Sequence, residues 1–141
     1  MMNAREYLDS IAVAGKRIKL KEERVQQLRE SLTSVSAPMD KEQVSHTRNV
    51  SAMADSIARI IDMQHEIDQQ LDHLHQLRQE AMRYFDQLDP QYSQMLTLKY
   101  YDDLTVSQIE KRLLYSRSSV FRILGEATDA LQTLFEKVET K

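Results

Sequence analysis

The chain has 141 residues, enough for one domain or a small domain with an extension, and its 19 Lys/Arg against 22 Asp/Glu leave a net charge of −3, which argues against a general polyanion binder. Two Gly and two Pro supply few of the residues that β-hairpin turns need, and an aromatic content of 6% without Trp argues against a large globular core. Without Cys there are no disulfides or cysteine metal sites, no apolar run approaches membrane-spanning length, and MMNAREYLDS lacks a signal-peptide core, so a cytoplasmic, all-α protein with no membrane partner is expected.

Residues 4–32 read as one helix, with Leu8, Ile11, Ile18, Val25 and Leu32 at intervals of three, four and seven. The opposite face carries Lys16, Arg17, Lys19, Lys21, Glu22 and Glu23 and is expected to be solvated. SLTSVSAPMDKEQVS then breaks the pattern, giving a linker at about 33–48. A longer helix is expected from about 49 to 88. Val50, Ile57, Gln64, Leu71, Arg78 and Phe85 form one heptad column; Met53, Ile60, Ile67, Leu74, Ala81 and Leu88 form the other. A helix of that length, roughly 60 Å, is not stable alone in water and must pack against residues 4–32, a second copy, or both. Residues 1–88 are therefore expected to be a helical hairpin or coiled coil that oligomerises, most simply as a homodimer. His65, His73 and His75 sit on this helix among acidic residues. The two Asp-x-x-His spacings point about 80° apart at ~100° per residue, which suits solvated flanks better than a metal site.

At Asp89-Pro90 a new segment begins, with Asp89 placed to cap and Pro90 at the first helical position. Residues 90–141 hold seven Lys/Arg and seven Asp/Glu, so residues 1–89 carry the whole −3. Within the neutral segment, 111–124 holds Lys111, Arg112, Arg117 and Arg122 and no acid. A helix from 90 to 101 precedes the break YDDL. Thr105 with Gln108 has capping-box spacing and starts the next helix, and Ser116 suits the N-cap of the last.

Residues 105–125 thus supply a supporting helix, a short turn and a second helix, the parts of a helix-turn-helix. Val106, Ile109, Tyr115, Val120 and Leu124 are the expected core of the pair. Arg117, Ser118, Phe121 and Arg122 form the expected base-facing set, since arginine reads guanine edges through two hydrogen bonds and serine bonds a base edge or a phosphate. Lys99, Thr105, Lys111, Arg112, Ser116 and Ser119 are the expected phosphate-facing set. The oligomer seam comprises Val50, Met53, Ile57, Ile60, Gln64, Ile67, Leu71, Leu74 and Arg78.

The stretch LDPQYSQMLTLKYYDDLTVSQIEKRLLYSRSSVFRILGEATDAL (88–131) resembles region 4 of bacterial sigma factors. Its matching positions include Leu88, Leu98, Tyr100, Leu104, Thr105, Ile109, Leu113, Ser116, Arg117 and Val120. The ending YSRSSVFRILGEA behind a long coiled-coil half is similar to small phage-encoded transcription regulators of the RinA/ArpU kind. The resemblance implies a C-terminal three-helix helix-turn-helix domain at 89–141, regulation of phage or prophage genes in a bacterial host cytoplasm, and contact with bacterial RNA polymerase. Two positions depart from the family pattern. Glu110 replaces a small residue, and Leu114 replaces the frequent turn glycine, so the turn is expected to avoid positive φ.

With no glycine-rich phosphate loop and no nucleophile beside a base, neither an enzyme nor a cofactor is expected. The expected function is a sequence-specific regulator that binds double-stranded DNA. Two alternatives stand beside it: a phage assembly protein such as a small terminase (DNA-packaging) subunit, and an interaction module that binds RNA polymerase.

Overall fold

The computed structural model describes residues 2–35 and 43–139. Among these the chain is all-helical: α1 (Ala4–Val35), α2 (Gln43–Phe85), α3 (Pro90–Leu96), a π-helical turn (Thr97–Tyr101), α4 (Val106–Leu113) and α5 (Arg117–Glu139). The expected linker is helical at both ends, because α1 continues to Val35 and α2 already starts at Gln43; Pro38 and the rest of 36–42 lie outside the described residues. The helix expected over 90–101 changes character halfway. From Thr97 the hydrogen bonds lengthen to the π spacing, Asp102 N–H donating to the Thr97 carbonyl at 2.9 Å.

Two compact units form: Met1–Gly15 with His73–Lys141, and Lys16–Asp72. In the first unit, Asp89 occupies the N-cap of α3 without a capping bond from its carboxylate, while Pro90 takes the first turn, where its missing N–H leaves no bond unmade. Met95, Leu98, Ile109, Val120 and Ile123 are buried together, with Tyr92, Leu104, Val106, Leu113, Tyr115 and Leu124 packed around them. All five residues expected to form the core of the α4–α5 pair belong to this cluster. Further along α5, Ala127, Leu131 and Phe135 are fully buried. Phe135 meets Tyr84 of α2 at 4.9 Å and Tyr7 of α1 at 5.4 Å between ring centroids, and Tyr7 meets Tyr84 at 5.9 Å, all edge to face. Nearby, the Ala4 N–H donates to Gln132 Oε1 at 2.7 Å.

The second unit pairs the remaining parts of the two long helices. Ile18, Val25, Ile60 and Ile67 are buried, and Lys21 Nζ bonds Glu66 Oε1 at 2.6 Å. The two expected seam columns differ in burial. Ile60 and Ile67 here, and Leu74 and Ala81 in the first unit, are at most 8% exposed, whereas Val50, Ile57 and Leu71 are 54%, 45% and 41% exposed. Met53, Gln64 and Arg78 are half-buried, Gln64 donating to Asp68 one turn on. Ile60, Ile67, Leu74 and Ala81 thus serve the chain's own packing; in the other column Val50, Ile57 and Leu71 face outward, while Phe85 at its end is fully buried.

Phe135→Ala is expected to remove about 3–5 kcal/mol from the first unit, as loss of a fully buried aromatic does, read as a drop in denaturant midpoint. Gly15 lies inside α1, where a Cβ would sit 3.5 Å from Arg78 Nη2 and 3.8 Å from Leu74 Cδ2, ordinary contact distances. Gly15→Ala is therefore expected to stabilise the chain by about 1 kcal/mol through helix propensity, seen as a higher melting temperature. A lower one would show that α1 and α2 need the missing Cβ.

Candidate nucleic-acid interface

Local chemistry sets the frame of α4. Thr105 Oγ1 accepts the Gln108 N–H at 3.2 Å and Gln108 Oε1 accepts the Thr105 N–H at 2.8 Å, so both halves of the capping box are made. The helix ends at Leu114, where the expectation of negative φ is overturned: φ is 58° and ψ 40°, the left-handed region. The reason is hydrogen bonding. Turning the chain left at this residue lets both the Leu114 and the Tyr115 N–H groups donate to the Glu110 carbonyl, the latter at 3.2 Å, and it swings Tyr115 onto the core beside Ile109. The Leu114 side chain gains nothing from this and is 88% exposed.

Ser116 then caps α5, its Oγ accepting the Ser119 N–H at 3.2 Å and donating to Ser119 Oγ at 2.9 Å, with Ser118 Oγ 3.3 Å away. These hydroxyls cluster at the start of α5, where the unbonded N–H groups of a helix favour an anion. The burial of Val120 and Ile123 turns the other side of the first turns outward. Arg117, Ser118, Phe121 and Arg122 are accordingly all exposed there. Lys111 and Arg112 are exposed on the last turn of α4. Lys99 and Thr105 are engaged elsewhere: the Lys99 ammonium lies 5.8 Å from the Tyr100 ring centroid, and Thr105 is tied to Gln108.

Sequence reasoning overlooked the acids. Arg117 Nη1 lies 3.8 Å from Glu110 Oε2, and its guanidinium lies 5.8 Å from the Phe121 ring centroid. Arg122 Nη1 donates to Glu126 Oε1 at 3.2 Å, while Tyr92 Oη donates to the other oxygen of the same carboxylate at 3.3 Å. Burial, then the Glu126 carboxylate, hold the Tyr92 hydroxyl above its ordinary pKa. The Arg122–Glu126 pair is legible as an i, i+4 spacing; the Glu110–Arg117 pair depends on the path of the turn. A groove of about 650 Å3 was also unforeseen. Arg5 and Asp9 of α1, Tyr100 of the π turn, and Phe121, Gly125 and Asp129 of α5 line it. Burial lifts the Tyr100 hydroxyl above its usual range, Asp9 adding to that rise and Arg5 opposing it.

Among the described residues the protein is thus all-helical, with exposed Arg117, Ser118, Phe121 and Arg122 side by side at the start of one long helix. The chain belongs to the family described as Protein of unknown function (DUF1492), whose model matches residues 31–132. No curated protein and no solved structure matches it. Among the described residues, no helix is long and apolar enough to cross a membrane.

The backbone of Leu114 generates a prediction. Left-handed φ costs a non-glycine residue roughly 1–2 kcal/mol, and a glycine there loses about 0.5–1 kcal/mol of that advantage to its unfolded-state freedom. Because the Leu114 side chain buries almost nothing, Leu114→Gly is expected to raise stability by up to about 1 kcal/mol in a denaturant titration.

Proposed function

We propose that this protein is a sequence-specific regulator of transcription that binds double-stranded DNA through a helix-turn-helix formed by α4 and α5. The observation that carries the reading is the joint exposure of Arg117, Ser118, Phe121 and Arg122 on the first turns of α5, a helix held from behind by Ile109 and Val120. In this reading α5 enters the major groove, with arginine on guanine O6 and N7 and serine on a base edge. Lys111, Arg112, Ser116 and Ser119 meet phosphates on either side. The resemblance of 88–131 to sigma region 4 supports the same assignment and suggests phage or prophage genes in a bacterial host as the setting, with RNA polymerase as a second partner.

The long helices form the oligomerising part, as a hairpin. Ile60 and Ile67 close it from within, and the outward Val50, Ile57 and Leu71, joined by Ile61 at 52% exposure, meet a second copy. A dimer carrying two reading helices would select a site with two halves.

Selection of bound duplexes from a random pool at low salt, with mass measured in the same buffer, tests the reading. The wild type is expected to enrich one sequence as a dimer. The double variant Arg117→Ala, Arg122→Ala is expected to lose that preference while keeping its helical circular dichroism. Unchanged selection by the double variant would reject α5 as the reading helix. A large ring would favour a DNA-packaging subunit, and a protein that retains no duplex would favour a protein-binding module.

A further inference from the structure

Each arginine on the outward face of α5 is held by its own carboxylate. Glu126 stands one turn beyond Arg122 and bonds it at 3.2 Å; its second oxygen is taken by Tyr92 at 3.3 Å, so this single carboxylate joins α3 to α5. Glu110 reaches Arg117 from α4, and its side chain is only 25% exposed, set into the angle between α4 and α5. Arg117 is further flanked by the Phe121 ring. Two arginines against two glutamates leave this face without net charge, and Lys111 and Arg112 remain as the nearby exposed cations.

The consequence for a duplex follows from what each acceptor offers. A guanine edge presents two uncharged acceptors to the arginine fork, and the carboxylate beside the arginine repels them far less than it repels a full charge. A phosphate presents a full negative charge, and a glutamate a few ångströms away opposes its approach. Exposed ion pairs contribute little to stability, generally 0–1 kcal/mol, so these pairs are weak enough to be exchanged for a bidentate base contact. Their effect lies in where the arginine points and in which acceptors it accepts.

We propose that Glu126, held by Tyr92, and Glu110 are positioning residues that keep Arg122 and Arg117 directed at base edges and away from phosphates, so that this face discriminates between sequences at the expense of general DNA affinity. The proposal rests on the DNA-reading assignment of α5.

The test uses the full chain, the duplex it selects and a scrambled duplex, with dissociation constants measured across a range of salt concentrations and melting temperatures recorded for every variant. Glu126→Gln frees Arg122 for a phosphate. It is expected to tighten binding to the scrambled duplex at low salt by about threefold or more and to steepen the salt slope by about 0.9, the value of one added phosphate contact. Glu110→Gln is expected to do the same through Arg117. Tyr92→Phe keeps every charge and loosens only the carboxylate, so it is expected to lower the ratio of selected to scrambled affinity while the salt slope stays put. If the variants change melting temperature alone and leave both ratio and slope as in the wild type, the carboxylates are only structural and the proposal falls. If the wild type selects no duplex at all, the DNA-reading assignment fails and takes the proposal with it.

Discussion

Three aromatic rings from distant parts of the chain meet around Phe135, and the position of α5 depends on that meeting. Tyr7 comes from the first turns of α1, Tyr84 from the end of α2 and Phe135 from the far end of α5, with centroids 4.9 to 5.9 Å apart. Edge-to-face contact of this kind contributes about 0.5–1.5 kcal/mol per pair beyond the area it buries. A polar loss accompanies it, since the Tyr7 hydroxyl is buried with no hydrogen-bond partner among the described residues. Its pKa is driven up by that burial first, then by Glu80 and Tyr84, which keeps it neutral. α5 is a single rod of 23 residues, about 34 Å at 1.5 Å per residue, clamped at one end by the rings and presenting Arg117 to Arg122 at the other.

The presenting end is built to be rigid as well. Thr105 and Gln108 lock the start of α4, Leu114 accepts a strained backbone so that two N–H groups find the Glu110 carbonyl, and Ser116 closes the start of α5. Glu110 acts twice in this arrangement. Its carbonyl ends α4, and its carboxylate meets Arg117 just across the turn, so the turn is organised around this residue.

The two long helices divide their apolar residues between two tasks. A strict seven-residue repeat on α2 supplies Ile60, Ile67, Leu74 and Ala81 to the interior, while Val50, Ile57 and Leu71 of the column beside it stay exposed and Phe85 of that column is buried. Two helices side by side bury only one stripe each, which leaves a second stripe such as Val50, Ile57 and Leu71 without cover. The family match at 31–132 spans all of α2 and the first turns of α5, but neither Tyr7 nor Phe135.

What the sequence determined by itself was local. The helical class, the heptad columns, the capping box at Thr105, the cap at Ser116 and the core residues of the α4–α5 pair were all legible, because each depends on spacings of one to seven residues within a single element. The outward set of Arg117, Ser118, Phe121 and Arg122 was legible for the same reason: helical period and the burial of Val120 leave those positions outside. Only the tertiary structure decided the rest. Left-handed φ at Leu114 and the π turn at Thr97 are closed by local hydrogen bonds to Glu110 and Thr97, yet no propensity of leucine or threonine announces them. The ring cluster joins residues more than a hundred positions apart, and the partner of Arg117 comes into range only once the turn is made. Which residues of the two apolar columns on α2 lie inside was likewise settled by packing, since either column satisfies the same seven-residue repeat.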